Sequence, residues 1–162
     1  MDAGVQRVWD VVDAAGVGML VTDAGPDLRA RPLEPRSDRD GGVIRFVIDR
    51  RGGKDDEIET HPVCCLVFVH AAEKAYLSIS GRAEVRRDPA MARAIWKHTD
   101  DAWWPDGPDD ANVRVMCFTP DTAELWDGPA SKAVAAFEFA KARLTGRQPD
   151  VGQNRKSTVA MR

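Results

Sequence analysis

A chain of 162 residues with 43% hydrophobic and 30% charged side chains carries enough apolar material for one packed core and too little length for two robust ones. Its net charge of −3 and its pI near 5.6 exclude a general nucleic-acid or anionic-membrane binder, which needs clustered positive potential. Any anion the protein holds must be gripped locally.

Val5, Val8, Trp9 and Val12 recur at helical spacing, which predicts an amphipathic helix over residues 3–15 that stops near Gly16. The apolar run Gly16 to Thr22, the turn chemistry of Asp23 to Asp27 and the segment Leu28 to Leu33 read as a hairpin. Arg29 and Arg31 fall on one face of its second arm, and Pro32 marks that arm as an edge strand or a bulge. A polar loop, Glu34 to Gly42, leads to a third strand, Val43 to Ile48. Asp49 to Lys54 is a basic glycine loop that opens a short helix, Asp55 to Thr60, ended by Pro62. Val63 to Val69 is apolar throughout, as suits a strand buried on both faces. Tyr76 to Ser80 alternates, Gly81 interrupts it as a bulge or bend would, and Ala83 to Arg86 continues it. Asp88-Pro89 caps a helix expected to reach about His98. The aromatic loop Trp103 to Asp110 follows, then two closing strands, Val113 to Thr119 and Ala123 to Trp126, with a turn at Thr119-Pro120-Asp121. Ala133 to Thr145 repeats at helical intervals, and the residues after Gln148 show no periodicity. The expected fold is α+β, mainly β: an antiparallel split β-barrel of about six to eight strands with peripheral helices. Residues 1–150 form its domain, and 151–162 a polar, mobile tail.

The opening residues contain no continuous apolar run, and no stretch approaches the ~20 apolar residues of a membrane-spanning helix, so a cytoplasmic location is expected. Adjacent Cys64 and Cys65 and the lone Cys117 suit neither a disulfide framework nor zinc, and read as buried thiols. His61, His70 and His98 share no metal-like spacing, and no metal site is expected.

Three features could carry chemistry. Gly52, Gly53, Arg50, Arg51 and Lys54 sit where a helix begins, an arrangement that suits a phosphate and equally a solvated basic loop. Arg29 and Arg31 could face a ligand or protect an edge. Trp103, Trp104 and Trp126 could stack on a planar ring, form an interface or fill the core. No G-x-S-x-G, Walker loop or helix-opening G-x-G-x-x-G is present, so hydrolytic and nucleotide-triphosphate chemistry are unsupported. No catalytic side chain is assigned.

In their joint order, G-M-L-V-T, R-A-R-P-L, F-V-I-D-R-x-x-x-K, H-P-x-x-x-L, Y-x-S-I-S-G, W-x-P-D-G-P-D-D and E-L-W-D-G-P-x-S-K resemble the general stress protein branch of the pyridoxamine 5′-phosphate oxidase-like split barrels. The likeness spans about residues 5 to 152. It implies FMN in a groove at a homodimer interface. Arg29 and Lys54 would be phosphate ligands, while Arg31, Pro32 and Leu33 with Phe46, Val47, Ile48 and Asp49 would form the strand edges along the ring. Trp126 and Trp104 would approach from the partner chain. Family members often carry Thr where Ile48 stands and Ser or Thr near Gly53, where this chain can offer only a backbone N–H. The resemblance implies an FMN-dependent oxidoreductase working with a small-molecule electron donor or acceptor. The alternatives are a non-catalytic flavin buffer or sensor, or a degenerate dimeric barrel without FMN. The C-terminal arginine-and-histidine pattern of true pyridoxamine phosphate oxidases is absent: the closing segment runs Trp126-Asp-Gly-Pro-Ala-Ser-Lys132.

Overall fold

The computed structural model describes residues 2–127, 143 and 155–161. The helix expected over Ala133 to Thr145 lies outside them, apart from a helical Arg143. Helix α1 (Ala3–Ala15) forms where the apolar spacing places it, capped by the Asp2 carboxylate at one end and by Gly16 in the left-handed region at the other. Strands β1 (Gly18–Asp23) and β2 (Leu28–Leu33) make the hairpin. Next come β3 (Arg36–Asp38), β4 (Val43–Asp49), α2 (Lys54–Thr60), β5 (Val63–His70), β6 (Ala75–Arg86), α3 (Pro89–Ile95), β7 (Val113–Asp127) and β8 (Arg155–Ala160).

All eight strands join one antiparallel sheet in the order β2-β1-β5-β6-β7-β4-β3, with β8 added alongside β7. The mainly β, α+β architecture expected from the sequence is therefore the one observed. β2 is an edge strand, which is where Pro32, lacking an N–H, belongs. At the other end of this strand order lies β3, formed inside the stretch expected to be a polar loop. The two edges are consecutive in the chain, joined through Glu34-Pro35, yet are not hydrogen-bonded to each other.

Three expectations need correction. The closing pair is one strand, β7, and Thr119-Pro120-Asp121 is a bulge rather than a turn: the register with β6 slips so that Gly81 faces Pro120 while Ser80 faces Thr122. Gly81 permits this, since a Cβ there would lie 2.3 Å from the Thr119 carbonyl oxygen. The first half of β7 pairs with β4 and the second half with β8. The stretch expected to be a mobile polar tail contributes β8, because the outer half of β7 would otherwise leave its ladder groups unpaired. Helix α3 ends at Ile95, not near His98, and Trp96 is already extended.

The main core lies inside the curl of the sheet, where Trp9 and Val12 of α1 and Ile58 of α2 meet Leu20, Ile44, Phe46, Leu66, Phe68, Ile79 and Phe118. A second cluster forms on the outer face of β4 and β7, where Val113 and Val115 pack with Ala92 of α3 and with Trp104. Among the described residues the outer face over β1, β5 and β6 has no such cover, and Met19, Val63, Val69 and Tyr76 are exposed there.

Candidate functional site

An open cleft of about 480 Å³ lies between edge strand β2 and the part of β4 beyond its pairing with β3. Pro32 and Leu33 of β2 form one wall, and Val47, Ile48 and Asp49 of β4 the other; Lys54 lies at one end, and Arg36, Asp100, Trp103 and Trp104 also border it. The expected residues Pro32, Leu33, Val47, Ile48, Asp49, Lys54 and Trp104 are thus brought together in a single chain. Phe46 is not among them: alternation along β4 turns Ile44, Phe46 and Ile48 into the core. Ile48 borders the cleft with only 1% of its surface exposed, so a hydroxyl at this position would face apolar neighbours. Trp126 lies at the far end of β7, opposite Tyr76 and beneath the Lys156 ammonium at 5.5 Å.

At the basic end, Asp49 caps the turn Arg50–Gly52 through the Arg51 N–H at 2.7 Å and also binds the Arg51 guanidinium. That partner holds the Asp49 carboxyl below its usual range. Gly53 adopts φ 69°, a left-handed conformation that suits glycine, and its N–H donates to the Arg50 carbonyl at 3.3 Å. It is therefore committed within the turn rather than offered to an anion. The first turn of α2 carries Asp55, Asp56 and Glu57, acids that themselves face the positive end of the helix dipole.

Among the described residues, Lys54 makes neither a hydrogen bond nor an ion pair. Its Nζ folds over Gly52, where a Cβ would come within 2.6 Å of it. Burial, and then the neighbouring Arg31 guanidinium, push its pKa below the usual lysine value. Arg29 and Arg31 do share a face of β2, but both point to the Glu57 carboxylate, at 3.1 and 2.6 Å. Glu57 also accepts from the Thr22 hydroxyl at 2.7 Å.

At the aromatic end, Trp104 packs against Trp96 with ring centroids 5.9 Å apart. Its Nε1 is buried without a hydrogen-bond partner among the described residues. An orphaned donor of this kind, in a residue bordering a cleft, marks a place for a ligand acceptor or water. Arg36 and Asp100, with side chains 8% and 9% exposed, pair through Arg36 Nη2, which donates to both carboxylate oxygens at 2.9 and 3.0 Å and ties β3 to the loop that carries Trp104. Sequence reasoning missed Glu57, Thr22, Arg36 and Asp100. Glu57 carried a signal, being three residues beyond Lys54 on the same helix. Arg36 and Asp100, 64 residues apart, carried none. Among the described residues no cluster of His, Cys, Asp or Glu could hold a metal, and no helix is long and apolar enough to cross a membrane.

The sequence matches the family described as Pyridoxamine 5′-phosphate oxidase like over residues 3–150. A protein assigned as general stress protein 26 from Jannaschia sp. CCS1 superposes with a TM-score of 0.80 at 27% identity, covering 99% of each chain. The general stress FMN/FAD binding protein from Xanthomonas citri superposes with a TM-score of 0.68 at 25% identity, over 75% of this chain and 87% of its own. A protein related to general stress protein 26 from Clostridium acetobutylicum shares the fold, with a TM-score of 0.69 at 18% identity over 78% of this chain and 91% of its own. No curated protein matches the sequence.

Proposed function

The chain belongs to the pyridoxamine 5′-phosphate oxidase-like family, and on that footing we propose that it is a flavin-binding split-barrel protein of the general stress type that seats FMN in the cleft between Lys54 and Trp104. The observation that carries this reading is the Lys54 ammonium, half-buried and unpaired among the described residues, at one end of a cleft whose volume of about 480 Å³ falls in the small-molecule range. The residues present fit such a group. Lys54 would hold the phosphate, Pro32, Leu33 and Val47 offer apolar walls to a ring system, and the buried Trp104 N–H lacks an acceptor. The similar Xanthomonas citri protein, named as FMN/FAD binding, supports the same assignment.

When bound, the flavin would supply hydride or electron transfer, and the oxidoreductase reading rests on that chemistry with a small-molecule donor or acceptor. The chain's own part is to bind and orient. The carboxylates bordering the cleft, Glu34, Asp49 and Asp100, are ion-paired to Lys97, Arg51 and Arg36, so none stands free as a proton donor. This favours, as a second reading, a protein that holds flavin without turning over substrate. Steady NAD(P)H oxidation by the holoprotein separates the two.

A homodimer is part of the same proposal. Pro32, in the cleft wall, stands opposite Met19, so the wall runs on into the uncovered apolar face that bears Met19, Val63, Val69 and Tyr76. A second copy seated there would cover that face and roof the cleft. In sedimentation the wild type is expected to be a dimer and Val69→Lys a monomer. A wild-type monomer that binds flavin tightly would refute the shared cleft. For the site itself, Lys54→Ala is expected to weaken FMN binding at least about tenfold by fluorescence titration. An unchanged dissociation constant would remove Lys54 from the site.

A further inference from the structure

The three cations that converge near the start of α2 are not equivalent. Arg31 donates one Nη to Thr22 Oγ1 at 2.8 Å and the other to Glu57 Oε1 at 2.6 Å. Arg29 reaches the same Oε1 at 3.1 Å, while the Thr22 hydroxyl donates to Oε2. The strand register explains the convergence: Thr22 stands opposite Arg29, so their side chains share the inner face of the hairpin against which α2 packs. Thr22 is buried, and the Glu57 side chain is only 12% exposed. A carboxylate that accepts from two guanidinium groups and a hydroxyl sits as an oxyanion ligand would sit. Lys54, one helical turn earlier, is left over.

We propose that Glu57 is a built-in occupant of the Arg29–Arg31 anion seat, so that the flavin phosphate falls to Lys54 and Glu57 limits how strongly the site prefers FMN to riboflavin. This rests on the flavin reading above. A phosphate that displaced Glu57 would strand a mostly buried carboxylate without its partners, and one that joined it would meet like charge. The arginines are thereby structural, although sequence resemblance points to Arg29 as a phosphate ligand. Glu57 is a specificity-determining residue that works through them.

The test compares dissociation constants of FMN and riboflavin by flavin fluorescence, riboflavin serving as the control for an intact cleft. Arg29→Ala, at an exposed side chain, is expected to change FMN affinity less than about threefold, against at least about tenfold for Lys54→Ala. Glu57→Gln keeps the side-chain shape and removes the charge. It is expected to tighten FMN at least about fivefold while leaving riboflavin unchanged, and Arg29→Ala in that background should erase the gain. The proposal is overturned if Arg29→Ala alone costs as much as Lys54→Ala, or if Glu57→Gln leaves FMN affinity unchanged or weaker. The two readings fail separately. FMN binding by Glu57→Gln but not by the wild type would retire the flavin reading for the native chain and uphold the role of Glu57. Equal FMN affinity in both would do the reverse, and binding by neither would overturn both.

Discussion

Asp100→Ala tests how the cleft is held together. The carboxylate accepts two bonds from Arg36 Nη2, at 2.9 and 3.0 Å, and one from the Lys97 N–H at 2.9 Å. Removing it leaves a guanidinium whose side chain is 8% exposed with the carbonyls of Glu34 and Ile95 and the Glu34 carboxylate at 3.4 Å. Breaking one side of a buried pair costs about 3–5 kcal/mol, chiefly from the stranded charge. At about 2–4 °C per kcal/mol for a chain of this size, the melting midpoint should fall by about 6–20 °C. Urea unfolding followed by tryptophan fluorescence reads the loss, and Trp96 and Trp104 in the adjoining cluster report on the same loop. The double replacement Arg36→Met with Asp100→Leu removes both charges and should be milder than Asp100→Ala. A cost below about 1 kcal/mol for Asp100→Ala would show that the pair is no anchor.

Four further outcomes follow from the same geometry. Gly81→Ala forces a methyl against the Thr119 carbonyl at 2.3 Å and the Phe118 ring at 2.6 Å, and should cost about 1–3 kcal/mol in urea unfolding; a neutral substitution would mean the bulge is soft. Burial pushes the Cys64 thiol up to about 11, so alkylation of the folded protein at pH 8 should spare Cys64 until unfolding, as read by peptide mass mapping. Rapid native labelling there would contradict the packing. Lys54, held below its usual 10.5, should lose its charge earlier than an ordinary lysine as pH rises, so FMN affinity should fall in that window while riboflavin affinity stays level. A lowered cation pKa means the charged form destabilises the fold. Lys54→Met should therefore raise the melting midpoint at neutral pH, with a gain that shrinks as pH climbs from the lowered value towards 10.5.

Local rules carried the sequence reading as far as local rules decide structure. The spacing of Val5, Val8, Trp9 and Val12 placed α1, and Pro32 announced an edge strand because a missing N–H has few other places to go. β8 was invisible because Arg155 to Ala160 contains a single large apolar residue, Val159, and pairs only because β7 needs a partner. β7 was divided at Pro120 because a bulge opposite Gly81 depends on two segments meeting. At the site, Lys54 was legible from its loop, and the period of β4 already contained the facts that Phe46 and Ile48 face away from Val47 and Asp49. The capture of Arg29 and Arg31 by Glu57 was not legible, since it follows from how α2 docks on the hairpin.

The unpaired edges of β2 and β3 give the cleft an elastic character. Its walls belong to two distant parts of one curled ribbon, and among the described residues no ladder bond spans them; across the seam run the Glu34-Pro35 link, the Arg29 and Arg31 pairing to Glu57, and whatever molecule lies between. A ligand bound there would act as a clasp on a spring. Its grip on β2 at one end and β4 at the other would be transmitted around the sheet, so slowed amide exchange on loading should reach β1 and β5, strands that do not line the cleft.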